Sequence, residues 1–197
     1  AVPVSGDSGL FAIRDRIAEG LEIPALPKGS FVETSFRDDY VKHLLSYVHP
    51  DSFKRFRIVA DPGNGCAGLV MKQLAELLPL DITLIHGEPD GTFPNGVPNP
   101  LLPENRALTS RAVRECRADF GLAWDGDFDR CFFYDASGRF IEGYYIVGMI
   151  AAALLKRHPG AKIIHDPRLV WNTQAVVRAA GGVPIESKTG HAFIKER

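Results

Sequence analysis

Short apolar runs alternate along this chain with stretches of helical periodicity, and no other feature of the sequence restricts its fold as much. FRIVAD at 56–61 leads into the turn PGNGCAG, then into Leu69, Leu74, Leu77 and Leu78 at helical spacing. DITLIH at 81–86 precedes a glycine- and proline-rich loop over 87–103, a helix over about 104–116, and DFGLAW at 119–124. Beyond an acidic loop at 125–130, CFFYDASGRF reads as a strand and turn, and GYYIVGMIAAALLKRH begins another helix. KIIHD, a helix over roughly 172–180, VPIES and KTGHAFIKER repeat the pattern. Strands regularly separated by helices imply sheets covered on both faces. The predicted fold is α/β: two successive α/β domains with mixed, mostly parallel sheets flanked by helices.

Nearer the start, Ser8 is placed to cap a helix through about Ala18 with Gly20 stopping it, and GLEIPALPKGS at 20–30 reads as a linker. From Thr34 or Ser35, the residues Tyr40, Val41, Leu44, Leu45 and Val48 mark an amphipathic helix. Trp124, Trp171 and the run Phe132, Phe133, Tyr134 are expected in the core.

A net charge of -1 supplies no field for nucleic acid or a membrane surface, so any phosphate site must rely on a local cluster of bases. The three cysteines, Cys66, Cys116 and Cys131, lack zinc-type spacing and are expected as reduced thiols in a cytoplasmic protein. No apolar run is long enough to span a bilayer, and AVPVSGDSG does not resemble a secretion signal. Both ends read as breaks inside a longer protein.

The chemistry is concentrated in WDGDFDRC. Asp125, Asp127 and Asp129 alternate directly after an apolar strand, so their carboxylates can converge on one hard cation while Gly126 and Phe128 point elsewhere. An all-oxygen set without histidine favours Mg²⁺ over zinc. In open α/β sheets, ligands collect beyond the carboxyl ends of strands, where this loop is expected. An EF-hand is excluded, because its glycine would fall at Arg130 and its bidentate glutamate at Ala136. A glycosyltransferase metal pair, a dehalogenase-type nucleophile and a solvated acidic turn remain open on spacing alone. Arg130 supports the carboxylates or reaches a phosphoryl oxygen, or else forms a surface ion pair. PGNGCAG lacks the lysine and hydroxyl of a P-loop and reads as a tight strand-to-helix turn, and the loop over 87–103 as a packing element.

Taken together, DGDFDR, PDGTFPNGVPNPLLPEN, FIEGYYIVG and KTGHAFIKER resemble the bacterial phosphomannomutase and phosphoglucomutase branch of the α-D-phosphohexomutase superfamily. The resemblance implies four domains around a cleft. It assigns residues 1–33 to the end of domain one and a linker, 34–138 to domain two with the metal loop, and 139–197 to the first part of domain three. No serine of the chain lies in a motif like the family's T-A-S-H-N-P, and the G-E-M-S sugar loop and domain four are also missing.

The implied reaction interconverts hexose 1-phosphate and hexose 6-phosphate, with mannose preferred and glucose possible, through a phosphoserine and a hexose bisphosphate. It is an isomerase-class phosphotransfer. The resemblance further implies Mg²⁺ on Asp125, Asp127 and Asp129, catalytic roles for Arg130, Arg168 and His191, and sugar contacts from Lys188, Thr189, Gly190 and His191. The isolated chain is expected to be inactive, its partners being its substrates and the missing domains one and four. The alternative is a non-catalytic module that binds Mg²⁺ or sugar phosphate.

Overall fold

The computed structural model describes residues 4–20, 27–49 and 53–197 and divides into two compact units: Thr34–Gly143, and Ala1–Glu33 with Tyr144–Arg197. Helix α1 spans Leu10–Ala18. Its N-cap is Gly9 rather than the expected Ser8, because the Ser8 Oγ accepts the Ser5 backbone N–H at 2.7 Å in a preceding 3₁₀ turn. Part of the expected linker, residues 21–26, lies outside the described residues. Helix α2 spans Arg37–Leu45 and buries Val41.

In the unit Thr34–Gly143, strand β1 (Arg57–Asp61), helix α3 (Ala67–Leu77), strand β2 (Asp81–Leu84), helix α4 (Ala107–Glu115) and strands β3 (Phe120–Trp124), β4 (Cys131–Asp135) and β5 (Phe140–Ile141) follow in sequence. They build one sheet in the order β2-β1-β3-β4-β5. β1 runs parallel to β2 and β3, whereas β3–β4 and β4–β5 are antiparallel, so the sheet is mixed. Ile58, Val59, Ala60 and Asp61 of β1 are all buried, as a strand covered on both faces requires. Val59 packs with Val113 of α4, Ala123 and Tyr134 on one side, and Ala60 packs with Ala67 and Met71 of α3 and Trp124 on the other. Burying Val59, Val113 or Met71 contributes roughly 1.5–3 kcal/mol each.

The long loop packs against the turn after β1. A Cβ on Gly63 would stand 2.4 Å from Pro98, and Asn64 Nδ2 donates to the Glu88 carbonyl at 2.9 Å. At the far end, Arg106 Nε and Nη2 donate to the Pro100 and Leu101 carbonyls at 2.8 Å each, while its guanidinium lies 3.6 Å over the Phe140 ring.

In the other unit, helix α5 (Gly143–Arg157), strand β6 (Lys162–His165), helix α6 (Trp171–Ala179), strand β7 (Val183–Glu186) and helix α7 (His191–Glu196) follow. β6 and β7 pair in parallel, with His165 opposite Glu186. The core joins Ala151 and Leu155 of α5 to Val177 of α6. Trp171 is 91% exposed, against its expected place in the core. α6 buries Thr173 and Val177, one turn apart, and a residue two positions before Thr173 falls about 200° around the helix, on the opposite side. Trp124, Phe132 and Tyr134 are buried as expected. Among the described residues, no helix is long and apolar enough to cross a membrane.

Candidate metal centre

The acidic loop joins β3 to β4, whose last pairing before it is Trp124 with Cys131. An antiparallel return over six residues forces the loop to double back, and one oxygen from each of Asp125, Asp127 and Asp129 comes within 4.8 Å of the others. Among the described residues, no other group of three acids, histidines or cysteines converges in this way. Asp125 is 2% exposed, whereas Asp127 and Asp129 are open to solvent.

Arg130 closes the loop. Its backbone N–H donates to Asp125 Oδ1 at 3.0 Å, its Nε donates to Asp125 Oδ2 at 2.6 Å, and its Nη2 lies 2.5 Å from the same oxygen. A longer bond of 3.3 Å reaches Asp129 Oδ1. Desolvation works against the Arg130 charge, yet the hydrogen bond and charge of Asp125, followed by those of Asp129, leave its pKa raised. Each carboxylate oxygen has two lone pairs, so bonds to Arg130 leave Asp125 able to ligate. Three converging oxygens without nitrogen or sulfur donors fit a hard divalent cation.

The glycine-rich turn after β1 has a role that its sequence did not disclose. The Cys66 backbone N–H donates to the Gly126 carbonyl at 3.3 Å, and a Cβ on Gly65 would stand 2.7 Å from that same oxygen. From the other side, a Cβ on Gly126 would be 3.1 Å from the Phe93 ring of the long loop. The acidic loop is therefore cradled by two segments distant in sequence. A pair of glycines at the turn and in the acidic loop was the visible signal, but nothing local says that they meet.

Lys188, Thr189, Gly190 and Arg168 lie in the other unit, on the loops that leave the carboxyl ends of β6 and β7, and His191 follows as the first residue of α7. Gly190 caps α7 at a φ of 121°, and His191 opens that helix in an exposed position. The Lys188 ammonium is 5.2 Å from the Phe193 ring centre and 3.8 Å from Asp7 Oδ2. Arg168 is bound to its own loop: its Nε and Nη2 donate to the two oxygens of Asp166 at 2.8 and 2.9 Å, although its side chain stays 73% exposed. Thr189 Oγ1 reaches Asp166 Oδ1 at 3.4 Å. Asp166, which sequence reasoning passed over, thus links the two loops.

The Arg168 side-chain bond is the main reason that the Asp166 carboxyl is lowered to about 2; burial opposes it, and the Arg168 backbone N–H, its charge and the Thr189 hydroxyl assist. The stability this carboxylate contributes is complete above its ordinary value of 3.8 and is lost as pH falls through about 2. Arg168→Ala is expected to return the Asp166 titration towards 3.8, read from its carboxyl ¹³C shift. An unchanged titration would show that Arg168 does not set it.

Comparison with known proteins places this geometry in a family. The family model described as phosphoglucomutase/phosphomannomutase, alpha/beta/alpha domain II, matches residues 38–138, and the corresponding domain III matches 142–197. Curated relatives include phosphohexose mutases of Xanthomonas campestris pv. campestris, 54% identical over the whole chain and 44% of the relative. A phosphomannomutase of Salmonella montevideo is 55% identical over the whole chain and 45% of its own length. A solved phosphoglucomutase/phosphomannomutase family protein from Burkholderia thailandensis superposes with a TM-score of 0.87 at 30% identity, over 99% of this chain and 42% of that one. The chain spans less than half the length of these curated relatives.

Proposed function

Since the chain belongs to the phosphoglucomutase/phosphomannomutase family, we propose that it supplies the metal loop and the sugar-side turn of a phosphohexomutase. The proposed reaction moves a phosphoryl group between the 1- and 6-hydroxyls of a hexose, mannose in preference to glucose, through a phosphoserine and a hexose bisphosphate contributed outside this chain. The assignment of residues 1–33, 34–138 and 139–197 to the end of domain one, domain two and the start of domain three belongs to the same proposal, as does a cytoplasmic setting.

One observation carries the reading: three aspartate oxygens converge beside an arginine that the most buried of them holds in place. Mg²⁺ held by Asp125, Asp127 and Asp129 would neutralise charge on the phosphoryl oxygens. Arg130 keeps its proton throughout and is half exposed, so it offers a fixed positive group to a phosphoryl oxygen while Asp125 fixes its direction. Lys188, Thr189 and the Gly190 backbone donate hydrogen bonds to sugar hydroxyls or phosphate. His191, exposed at the start of α7, holds or delivers the hydroxyl proton, and Arg168, oriented by Asp166, adds a further fixed charge.

The test is to graft residues 1–197 into the Salmonella phosphomannomutase in place of its matching segment. A coupled assay then follows mannose 1-phosphate and glucose 1-phosphate with Mg²⁺ and a hexose bisphosphate. Expected is turnover of both with mannose faster, and none from the chain alone. A folded but inactive graft would contradict the mutase reading and leave a binding module.

A further inference from the structure

Two of the three aspartates are held by little of their own. Asp127 makes no hydrogen bond or ion pair among the described residues, and Asp129 has only the 3.3 Å contact from Arg130. Between them stands Phe128, at a φ of 67°, in the left-handed region that disfavours a residue with a large side chain. Its backbone N–H donates to the Asp125 carbonyl at 3.2 Å, which closes the turn. Its ring leaves the loop and enters the protein, edge-on to Trp124 at 6.0 Å and to Tyr40 of α2 at 6.4 Å. There it lines an apolar cavity of about 400 Å³ together with Leu44, Met71 and Leu74. α2 is in turn fastened to α3 by the 2.8 Å bond from Gln73 Nε2 to Asp38 Oδ1.

We propose that Phe128 is a positioning residue for the metal loop: its partly buried ring, packed against the core around Trp124, pins the turn so that Asp127 and Asp129 face the same point as Asp125. The inference rests on the metal-site reading given above and extends it to a side chain that touches neither metal nor substrate. A glycine would adopt this φ without strain, so strain relief and anchoring make opposite demands at this position. The anchor explains a phenylalanine at this φ.

The experiment measures Mn²⁺ affinity by electron paramagnetic resonance for the parent chain and for Phe128→Leu, Phe128→Ala and Phe128→Gly, below each variant's thermal midpoint. Leucine, which keeps an apolar side chain against Trp124 and Tyr40, is expected to bind close to the parent. Alanine and glycine are expected to lose affinity by about tenfold or more, as when the supports of metal ligands are removed. Tyr40→Ala, which leaves the loop sequence intact, is expected to weaken binding in the same direction and carries the test if a Phe128 variant does not fold. Parent-like Mn²⁺ affinity in Phe128→Gly, or in Tyr40→Ala where the Phe128 variants do not fold, would overturn the positioning role alone. A parent chain that binds no Mn²⁺ would overturn the metal-site reading and this inference with it.

Discussion

Asp125→Ala is expected to abolish measurable divalent-metal binding by the chain. In a protein of the relatives' length, it is expected to lower the mutase rate by about 10²–10³-fold, the loss typical when a preorganised charge-stabilising group is removed. The size of the effect follows from its position. Asp125 is the buried member of the three, and both of its oxygens also hold Arg130. Alanine therefore removes a ligand and releases the arginine at once. Asp125→Asn keeps the shape and one oxygen, so a smaller loss is expected. Folding stability should fall by only about 1.5–3 kcal/mol, the range for hydrogen bonds to charged groups, because Arg130 is half exposed and regains water. Mn²⁺ titration and thermal melting of the same sample separate the two effects; metal binding at the parent level would remove Asp125 from the site.

Gly65→Ala is the second large effect. The added Cβ would lie 2.7 Å from the Gly126 carbonyl oxygen and 3.0 Å from both Gly126 Cα and the Pro62 carbonyl oxygen. All three are backbone atoms, so no flexible side chain can swing aside. The turn or the acidic loop must shift, at a cost of about 1–3 kcal/mol for overpacking and with about a tenfold loss of metal affinity. Gly91→Ala is the control: nothing lies within 4 Å of where its Cβ would stand, and the stability is expected to change by less than about 0.5 kcal/mol. Equal metal affinity in the two variants would show that the turn does not support the loop.

The α/β architecture was readable because strand and helix periodicities differ locally, and β1 and α3 each show theirs within a dozen residues. The aspartate triplet was readable because its members are two positions apart. The role of Gly65 was not, because its contact with Gly126 spans some sixty positions of sequence and is made by backbone atoms common to every residue. Trp171 was expected in the core on composition, whereas the phase of α6 is set by Thr173 and Val177. Arg168 was singled out through the family resemblance, but that the Asp166 carboxylate holds it was not readable, because an Asp-Pro step signals a turn and says nothing of the side-chain partner. Phe128 was expected only to point away from the metal, and its partners Tyr40 and Trp124 come from separate elements.

The most direct test of the metal centre is Mn²⁺ titration of the chain with Mg²⁺ as competitor. Expected is one Mn²⁺ per chain, displaced by Mg²⁺ and lost when Asp125, Asp127 and Asp129 are replaced together by asparagine. Absence of saturable binding, or one equivalent that survives the triple replacement, would contradict the assignment of the β3–β4 loop as the metal centre.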